Sequence, residues 1–173
     1  MKYLILLFML FVSQIVSAQH DTKPTDYFTV EGKVKQTVKF TLEDATTLNS
    51  LSFDSIVIYN HLVVRKSVLK NVKGVLLKDV LAKASFDSND PKSLSEYYIT
   101  CIASDGYKVV FSWNEIFNSA IGKQLIIITD ADGTKASSLS QRIAIISPAD
   151  IATGRRYVHG LSRIVVSRVE SLN

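Results

Sequence analysis

Two arginines and a histidine lie close together near the C-terminal end of the chain and could bind an anion. Arg155, Arg156 and His159 fall within five consecutive positions. A guanidinium group binds phosphate oxygens in a bidentate manner, and an imidazole nitrogen can add a further hydrogen bond. These residues are therefore candidate ligand-binding residues. Surface ion pairs or ordinary solvent exposure would explain the same pattern, and the sequence leaves that alternative open.

A histidine in a β-branched segment is the one residue whose type and setting suggest a metal ligand. His61 follows Tyr59 and Asn60 within residues 53–64, which read FDSIVIYNHLVV. An imidazole nitrogen is a common metal ligand, whereas tyrosine or asparagine oxygens would be weaker donors here. A lone histidine in such a segment is more often structural or exposed. The sequence therefore predicts no metal site, with His61 as a remote alternative.

The single cysteine does not suggest a disulfide or a catalytic thiol. In residues 97–104, YYITCIAS, period-two alternation places Cys101 on the same face as Ile99 and Ala103. We therefore expect a small buried hydrophobic side chain. A reactive thiol or an intermolecular bridge is the alternative, because one cysteine cannot form an internal bridge.

Motifs of common catalytic sites are missing from the sequence. It has no nucleophile elbow, no HExxH, no CxxC and no phosphate-binding glycine loop. Asp130, Asp132 and Gly133 resemble the start of a calcium loop, but Gln141 stands where such a loop needs its last glutamate. We expect a plain turn there, and we predict no catalytic residue.

The elements that would position these residues are mainly strands. Alternating or β-branched segments predict strands over residues 28–30, 36–42, 53–64, 97–104, 107–112, 124–130, 142–147 and 161–169. One amphipathic helix is predicted over residues 74–84, and a short helix is predicted to begin after Thr41 or Leu42. Asp105-Gly106 suits a tight hairpin turn. The predicted fold class is α+β and mostly β.

The N-terminus predicts export from the cytoplasm. Lys2 precedes an apolar run over residues 3–12, and small residues follow at positions that a signal peptidase reads. We predict a signal peptide at residues 1–18, a flexible lead at 19–27 and one domain at 28–173. The mature protein would be secreted or periplasmic, without stable membrane insertion, since the apolar run is too short for a spanning helix.

The charge distribution argues against a nucleic-acid partner. The 173-residue chain carries a formal net charge of +4, and its lysines and arginines are spread along the sequence. A nucleic-acid footprint would cluster them on one patch or stripe. We therefore predict no nucleic-acid binding.

Five segments, in this order, resemble the oxidoreductase molybdopterin-binding family of the sulfite oxidase type. They are GVLLKDVLAKA at 74–84, SDGYKVVF at 104–111, GKQL at 122–125, RIAIISP at 142–148 and RRYVHGLSRIVV at 155–166. The resemblance extends over roughly residues 30–169. It implies a molybdopterin-binding fold with mixed sheets and a few short helices, and molybdopterin as the cofactor, with its phosphate held by arginines, lysines and backbone amides. Arg155, Arg156 and His159 are therefore the candidate cofactor-binding residues.

One difference from this family concerns the metal. The resemblance implies a cysteine thiolate that binds molybdenum, on the strand before the helix at residue 74. Residues 56–65 occupy that place here and contain no sulfur, while Cys101 follows the helix instead of preceding it. The N-terminus also lacks the twin-arginine pair expected for export of a folded, cofactor-loaded protein. Both observations favour a cofactor-free exported domain.

Three functions follow as hypotheses. The first is a non-catalytic exported domain that binds a small anionic ligand or a protein partner. The second is a molybdopterin-dependent oxidoreductase with a non-cysteine metal ligand. The third is an envelope-interaction module that uses exposed aromatic residues, for which the candidates are Tyr97, Tyr107, Trp113 and Tyr157.

Overall fold

The computed structural model describes residues 22–88 and 90–170, which form mainly strands. The strands are β1 (Tyr27–Gly32), β2 (Val38–Thr41), β3 (Ser50–Tyr59), β4 (Arg65–Leu76), β5 (Tyr97–Ala103), β6 (Lys108–Ser112), β7 (Ile126–Ala131), β8 (Thr134–Lys135), β9 (Ala144–Ile146), β10 (Val158–His159) and β11 (Leu161–Arg168). The α-helices are α1 (Leu42–Ala45), α2 (Leu77–Ala84) and α3 (Trp113–Phe117), and 3-10 turns cover Pro91–Glu96, Ile121–Lys123, Ala136–Ser138 and Thr153–Arg156.

The strands form two sheets. The first has the order β2-β1-β11-β5-β6, in which β1 and β11 run parallel and the other neighbours run antiparallel. The second has the order β10-β9-β7-β4-β3, with β8 paired to β7, and all of its neighbours run antiparallel. The predicted mostly-β class with a few short helices is confirmed, and the first sheet is mixed.

Strand β7 is buried on both faces of the second sheet. Its isoleucines alternate in direction, as successive strand residues do. Ile127 joins a cluster that also contains Phe28 and Ile164 of the first sheet, whereas Ile126 and Ile128 join a second cluster. The first cluster therefore packs the two sheets together, and β7 lies within its sheet between β9 and β4, as the continuous apolar run predicts.

Local signals in the sequence specify several turns and caps as predicted. Thr41 caps α1 through a capping box with Asp44, whose carboxylate accepts from the Thr41 backbone N–H at 2.8 Å. These hydrogen bonds from Thr41 lower the pKa of Asp44. Gly106, with a φ of 87°, forms the turn between β5 and β6, and Gly133, with a φ of 75°, lies between β7 and β8.

The region between residues 53 and 84 differs from the prediction. The expected long strand over 53–64 ends at Tyr59, and a second strand, β4, occupies Arg65–Leu76. The first three residues of the predicted helix therefore belong to β4, and α2 begins at Leu77. The apolar spacing predicted a helix from residue 74, but Gly74 packs closely against β7 as part of a strand. An added Cβ at Gly74 would lie 2.5 Å from the Ile127 carbonyl oxygen.

The N-terminal predictions remain largely untested. The predicted signal peptide at residues 1–18 lies outside the described residues, and the domain at 28–173 stays a prediction. The described part of the lead lies against the turn after β5, where the Thr22 hydroxyl donates to Asp105 at 3.0 Å. No helix within residues 22–88 and 90–170 is long and apolar enough to cross a membrane.

Candidate functional site

A cleft of about 460 Å³ opens at the end of β3, where three separate parts of the chain meet. The β3–β4 turn, the β5–β6 turn and the 3-10 turn Thr153–Arg156 all contribute to it. The residues that line it are Ile58, Tyr59, Asn60, His61, Lys66, Tyr107, Gly154 and Arg155. None of these lining residues is acidic, whereas two are permanent cations and one is a histidine.

Threonine 153 fixes the 3-10 turn to the outer edge of β3. Its hydroxyl donates to the Val57 carbonyl oxygen at 2.7 Å and accepts from the Tyr59 N–H at 2.9 Å. Thr153 is 4% exposed, so these bonds are formed away from water. They satisfy backbone groups of β3 that would otherwise lack a strand partner on this side.

Glycine 154 lets the turn approach β3 closely. A Cβ at this position would lie 2.7 Å from the Tyr59 carbonyl oxygen, closer than real Cβ contacts allow. The absence of a side chain therefore places Arg155, the next residue, beside the end of β3.

Tyrosine 107 joins the β5–β6 turn to the same 3-10 turn. Its backbone N–H donates to the Asp105 carboxylate at 2.9 Å, which shapes the hairpin. Its hydroxyl donates to the Arg155 carbonyl oxygen at 2.5 Å. The Asp-Gly-Tyr segment thus supports the backbone that carries Arg155.

The basic side chains of the cleft form no ion pair among the described residues. Arg155, Lys66 and His61 are all exposed. The ion pairs within residues 22–88 and 90–170 include none of the three. The cleft therefore presents positive charge that a small anion could neutralise.

Arg156, by contrast, is engaged inside the protein. Its guanidinium donates to both carboxylate oxygens of Asp150 at 2.6 and 2.7 Å and to Glu115 at 2.8 Å, and it lies 4.3 Å from the centre of the Phe111 ring. The hydrogen bonds to Asp150 raise the pKa of Arg156 against the effect of burial. Burial acts to raise the pKa of Glu115, but hydrogen bonds from Ser112 and Arg156 outweigh it and lower that pKa.

His159 also lies outside the cleft lining. Its ring centroid is 3.9 Å from that of Tyr157. Burial lowers the pKa of His159, partly offset by the charge of Asp105. The structure thus brings the predicted residues Arg155 and His61 to the same cleft. Arg156 and His159 do not line that cleft. A ligand-binding role for Arg155, Arg156 and His159 stays a prediction.

The residues present do not fit a thiolate-bound molybdenum centre. The cleft contains no sulfur atom. Cys101 is fully buried, as its alternation predicts, and burial raises its pKa to about 12, so it stays a neutral thiol. Within the described ranges, no three His, Cys, Asp or Glu side chains are grouped to hold a metal ion. The family resemblance implies a thiolate as the molybdenum ligand, and the cleft lining supplies none.

Most of the candidate interaction aromatics are packed against the protein. Tyr97 is 2% exposed and its hydroxyl donates to the Asp87 carbonyl oxygen at 2.6 Å. Trp113 stacks on Phe117 at a centroid distance of 5.0 Å. Burial raises the pKa of Tyr157 to about 12. Of the four candidates only Tyr107 is exposed, at 46%.

Lys66 and Thr153 were not identified by the sequence patterns, although both shape the cleft. Lys66 lies in β4, a strand the patterns did not predict. Thr153 belongs to no motif, and only its burial beside an edge strand reveals its role. A second cavity of about 420 Å³ is lined by residues of both charges, including Glu43, Asp130 and Lys135, and is less suited to an anion.

Comparison with known proteins supports the fold. No protein-family model and no curated protein matches the chain. Among solved structures, the sulfane dehydrogenase SoxCD from Paracoccus pantotrophus is similar, with a TM-score of 0.60 and 14% sequence identity. The match covers 84% of this chain but only 39% of the SoxCD chain. At this identity the likeness concerns the fold alone. It supports a distant fold of the molybdopterin-binding type.

Proposed function

We propose that this chain is an exported, non-catalytic domain with a molybdopterin-binding-type fold that binds a small anionic ligand in the cleft at the end of β3. The supporting observation is the convergence of His61, Lys66 and Arg155 on one cleft whose lining residues include no carboxylate. His61 and Lys66 lie close together in the sequence, whereas Arg155 comes from the distant 3-10 turn Thr153–Arg156.

The cleft has the features that anion binding requires. Its two permanent cations have no ion-pair partner among the described residues, so a ligand would not need to displace a carboxylate. Arg155 can bind two oxygens at once, and Lys66 can add a point charge. Each charged hydrogen bond typically contributes about 1.5–3 kcal/mol when its partner is desolvated.

Binding is proposed in preference to molybdenum chemistry because of the donor set. SoxCD is named a dehydrogenase, and a similar activity in this chain would be the alternative. That alternative needs a metal ligand in place of the missing thiolate, and His61 is the only nitrogen donor of that kind in the cleft lining. Near-stoichiometric molybdenum and pterin in protein isolated from its native cells would establish the alternative.

Export is part of the proposal and rests on the N-terminal sequence alone. The ligand would then be an anion met outside the cytoplasm. A protein partner with a surface carboxylate or phosphate would use the same chemistry, but the cleft volume suits a small molecule better.

The test is a titration of the protein with inorganic phosphate, followed by amide chemical shifts in NMR spectra. We expect saturable shifts at His61, Lys66 and Arg155. Replacing Arg155 by Gln should weaken phosphate binding by about tenfold, because one charged hydrogen bond is lost. Lys66→Gln should have a smaller effect, since a solvated ammonium contributes mainly through its charge.

The matched control is Lys92→Gln. Lys92 is exposed on the 3-10 turn Pro91–Glu96 and does not line the cleft. The control should bind phosphate like the unmodified protein. Shifts that do not saturate, or that are equally weakened by all three substitutions, would contradict a specific anion site in the cleft.

A further inference from the structure

The turn between β3 and β4 carries three consecutive exposed aliphatic residues. Leu62, Val63 and Val64 are 69%, 51% and 51% exposed. Single exposed aliphatics are common on protein surfaces, whereas a run of three is a feature that folding alone does not favour. We call residues 62–64 the tip.

The backbone of the tip is hydrogen-bonded to Asn60, which lies two positions before it. The Asn60 side-chain oxygen accepts hydrogen bonds from the Leu62 and Val64 N–H groups, at 3.0 and 2.9 Å. The Asn60 N–H donates to the Val64 carbonyl oxygen at 3.0 Å. The aliphatic side chains are therefore displayed from an ordered turn.

The conformation of Val63 is unfavourable for its residue type. Its φ of 57° lies in the left-handed region, which glycine and asparagine adopt readily and which a β-branched side chain rarely adopts. A turn selected only for stability would carry glycine or asparagine here. Strain of this kind indicates that the exposed valine serves an interaction.

The charges beside the tip indicate what that interaction is with. Arg65 and Lys66 follow the tip directly, and Arg155 shares the cleft with Lys66. None of these cations forms an ion pair within the described ranges. Aliphatic side chains flanked by cations match the surface of an anionic bilayer, where apolar groups enter the acyl boundary and cations remain at the phosphates.

The residue types favour a lipid surface over a protein partner. The central parts of protein interfaces are enriched in aromatic residues and depleted of lysine. The tip itself has no aromatic residue, and a lysine lies two positions after it. We propose that the tip docks this protein peripherally onto an anionic phospholipid surface, with Arg65, Lys66 and Arg155 facing the headgroups.

The test is sedimentation of the protein, purified from its own host, with phosphatidylcholine vesicles that contain or lack about one third phosphatidylglycerol. We expect binding to the anionic vesicles that weakens as salt is added. The double substitution Leu62→Ser and Val64→Ser should reduce partitioning by at least about tenfold, because two aliphatic side chains no longer enter the bilayer. Arg65→Gln should reduce it by about fivefold.

The matched control is Val110→Ser. Val110 is 52% exposed on β6, close to the exposure of the tip valines, and should not affect vesicle binding. Val63→Asn provides a second variant that should not destabilise the fold, since asparagine adopts the left-handed φ of this position more readily than valine does. It should raise the free energy of unfolding and lower vesicle binding.

Several results would overturn the proposal. These are no binding to anionic vesicles, equal binding by the double variant, or tip-dependent self-association without vesicle binding. The tip residues do not line the cleft. The double variant should therefore still bind inorganic phosphate, so failure of lipid docking and failure of anion binding can be told apart.

Discussion

The cleft and the ion-pair network beside it share the 3-10 turn Thr153–Arg156, and two adjacent arginines of that turn belong to different regions. Arg155 is exposed in the cleft, where no carboxylate of the described residues pairs with it. Arg156 binds Asp150 and Glu115 and covers the ring of Phe111. Two adjacent arginines are therefore in different environments: one is paired with carboxylates and the other is not.

The difference shows that charge alone does not identify a binding residue. The cation of Arg156 is neutralised by the protein and fastens the 3-10 turn to α3 and to the loop after β9. The cation of Arg155 has no carboxylate partner among the described residues, which is why we propose it as a ligand-binding residue. What separates them is a pair of carboxylates, Asp150 and Glu115, which the tertiary structure brings to Arg156 and not to Arg155.

The largest effect should come from Arg156→Met. This substitution keeps an apolar stem but leaves Asp150 and Glu115 without their cation, and we expect a loss of about 3 kcal/mol in the free energy of unfolding. Chemical denaturation measures that loss. Arg155→Met is the matched control, because it changes the adjacent exposed residue and should alter stability by less than about 0.5 kcal/mol. If both variants lost the same free energy of unfolding, the two arginines would not differ in their contribution to the fold.

A smaller effect is expected from Thr153→Val, which preserves shape but removes the hydroxyl. The half-buried Tyr59 N–H and the Val57 carbonyl oxygen would each lose a partner, which should lower the free energy of unfolding by about 2 kcal/mol. Hydrogen exchange should become faster at Tyr59 in particular, because its amide loses the Thr153 hydroxyl as its acceptor. Thr153→Ser is the control, since it retains the hydroxyl and should keep slow exchange. Unchanged exchange in the valine variant would show that Thr153 does not fasten the turn to β3.

The sequence predicted most of the first sheet and the turns of this protein. The burial of Cys101, the Asp105-Gly106 hairpin and the cap at Thr41 follow from local chemistry, so they could be identified without tertiary structure. Strand β4 could not be identified from the sequence. Its lysines face solvent, and the apolar residues at its end continue into α2 with a spacing that also predicts a helix. The close approach of Gly74 to β7 decides between strand and helix there.

The site was predictable only in part, because the tertiary structure decides which of the two arginines meets carboxylates. Arg155 and His61 were identified by residue type, and the fold brings both to one cleft. The partners of Arg156 lie six and 41 positions away, and no local pattern connects Glu115 to it. Lys66 reached the cleft through a strand that was not predicted.

The smallest effect is expected from His159. It tests whether this residue belongs to the binding site with Arg155 or, like Arg156, is engaged by the fold. Burial holds its pKa below the ordinary value of 6.5, so the unfolded chain takes up its proton at a higher pH than the folded protein does. The unfolded state then binds more protons, and the free energy of unfolding falls as the pH drops below about 6.5. His159→Gln should flatten this part of the profile. Glu115 has a lowered pKa, so its contribution to stability is lost only at a pH below its ordinary value of 4.5. Because His159 does not line the cleft, inorganic phosphate should leave the difference between the two profiles unchanged; a difference that phosphate abolishes would place His159 with Arg155 in the binding site.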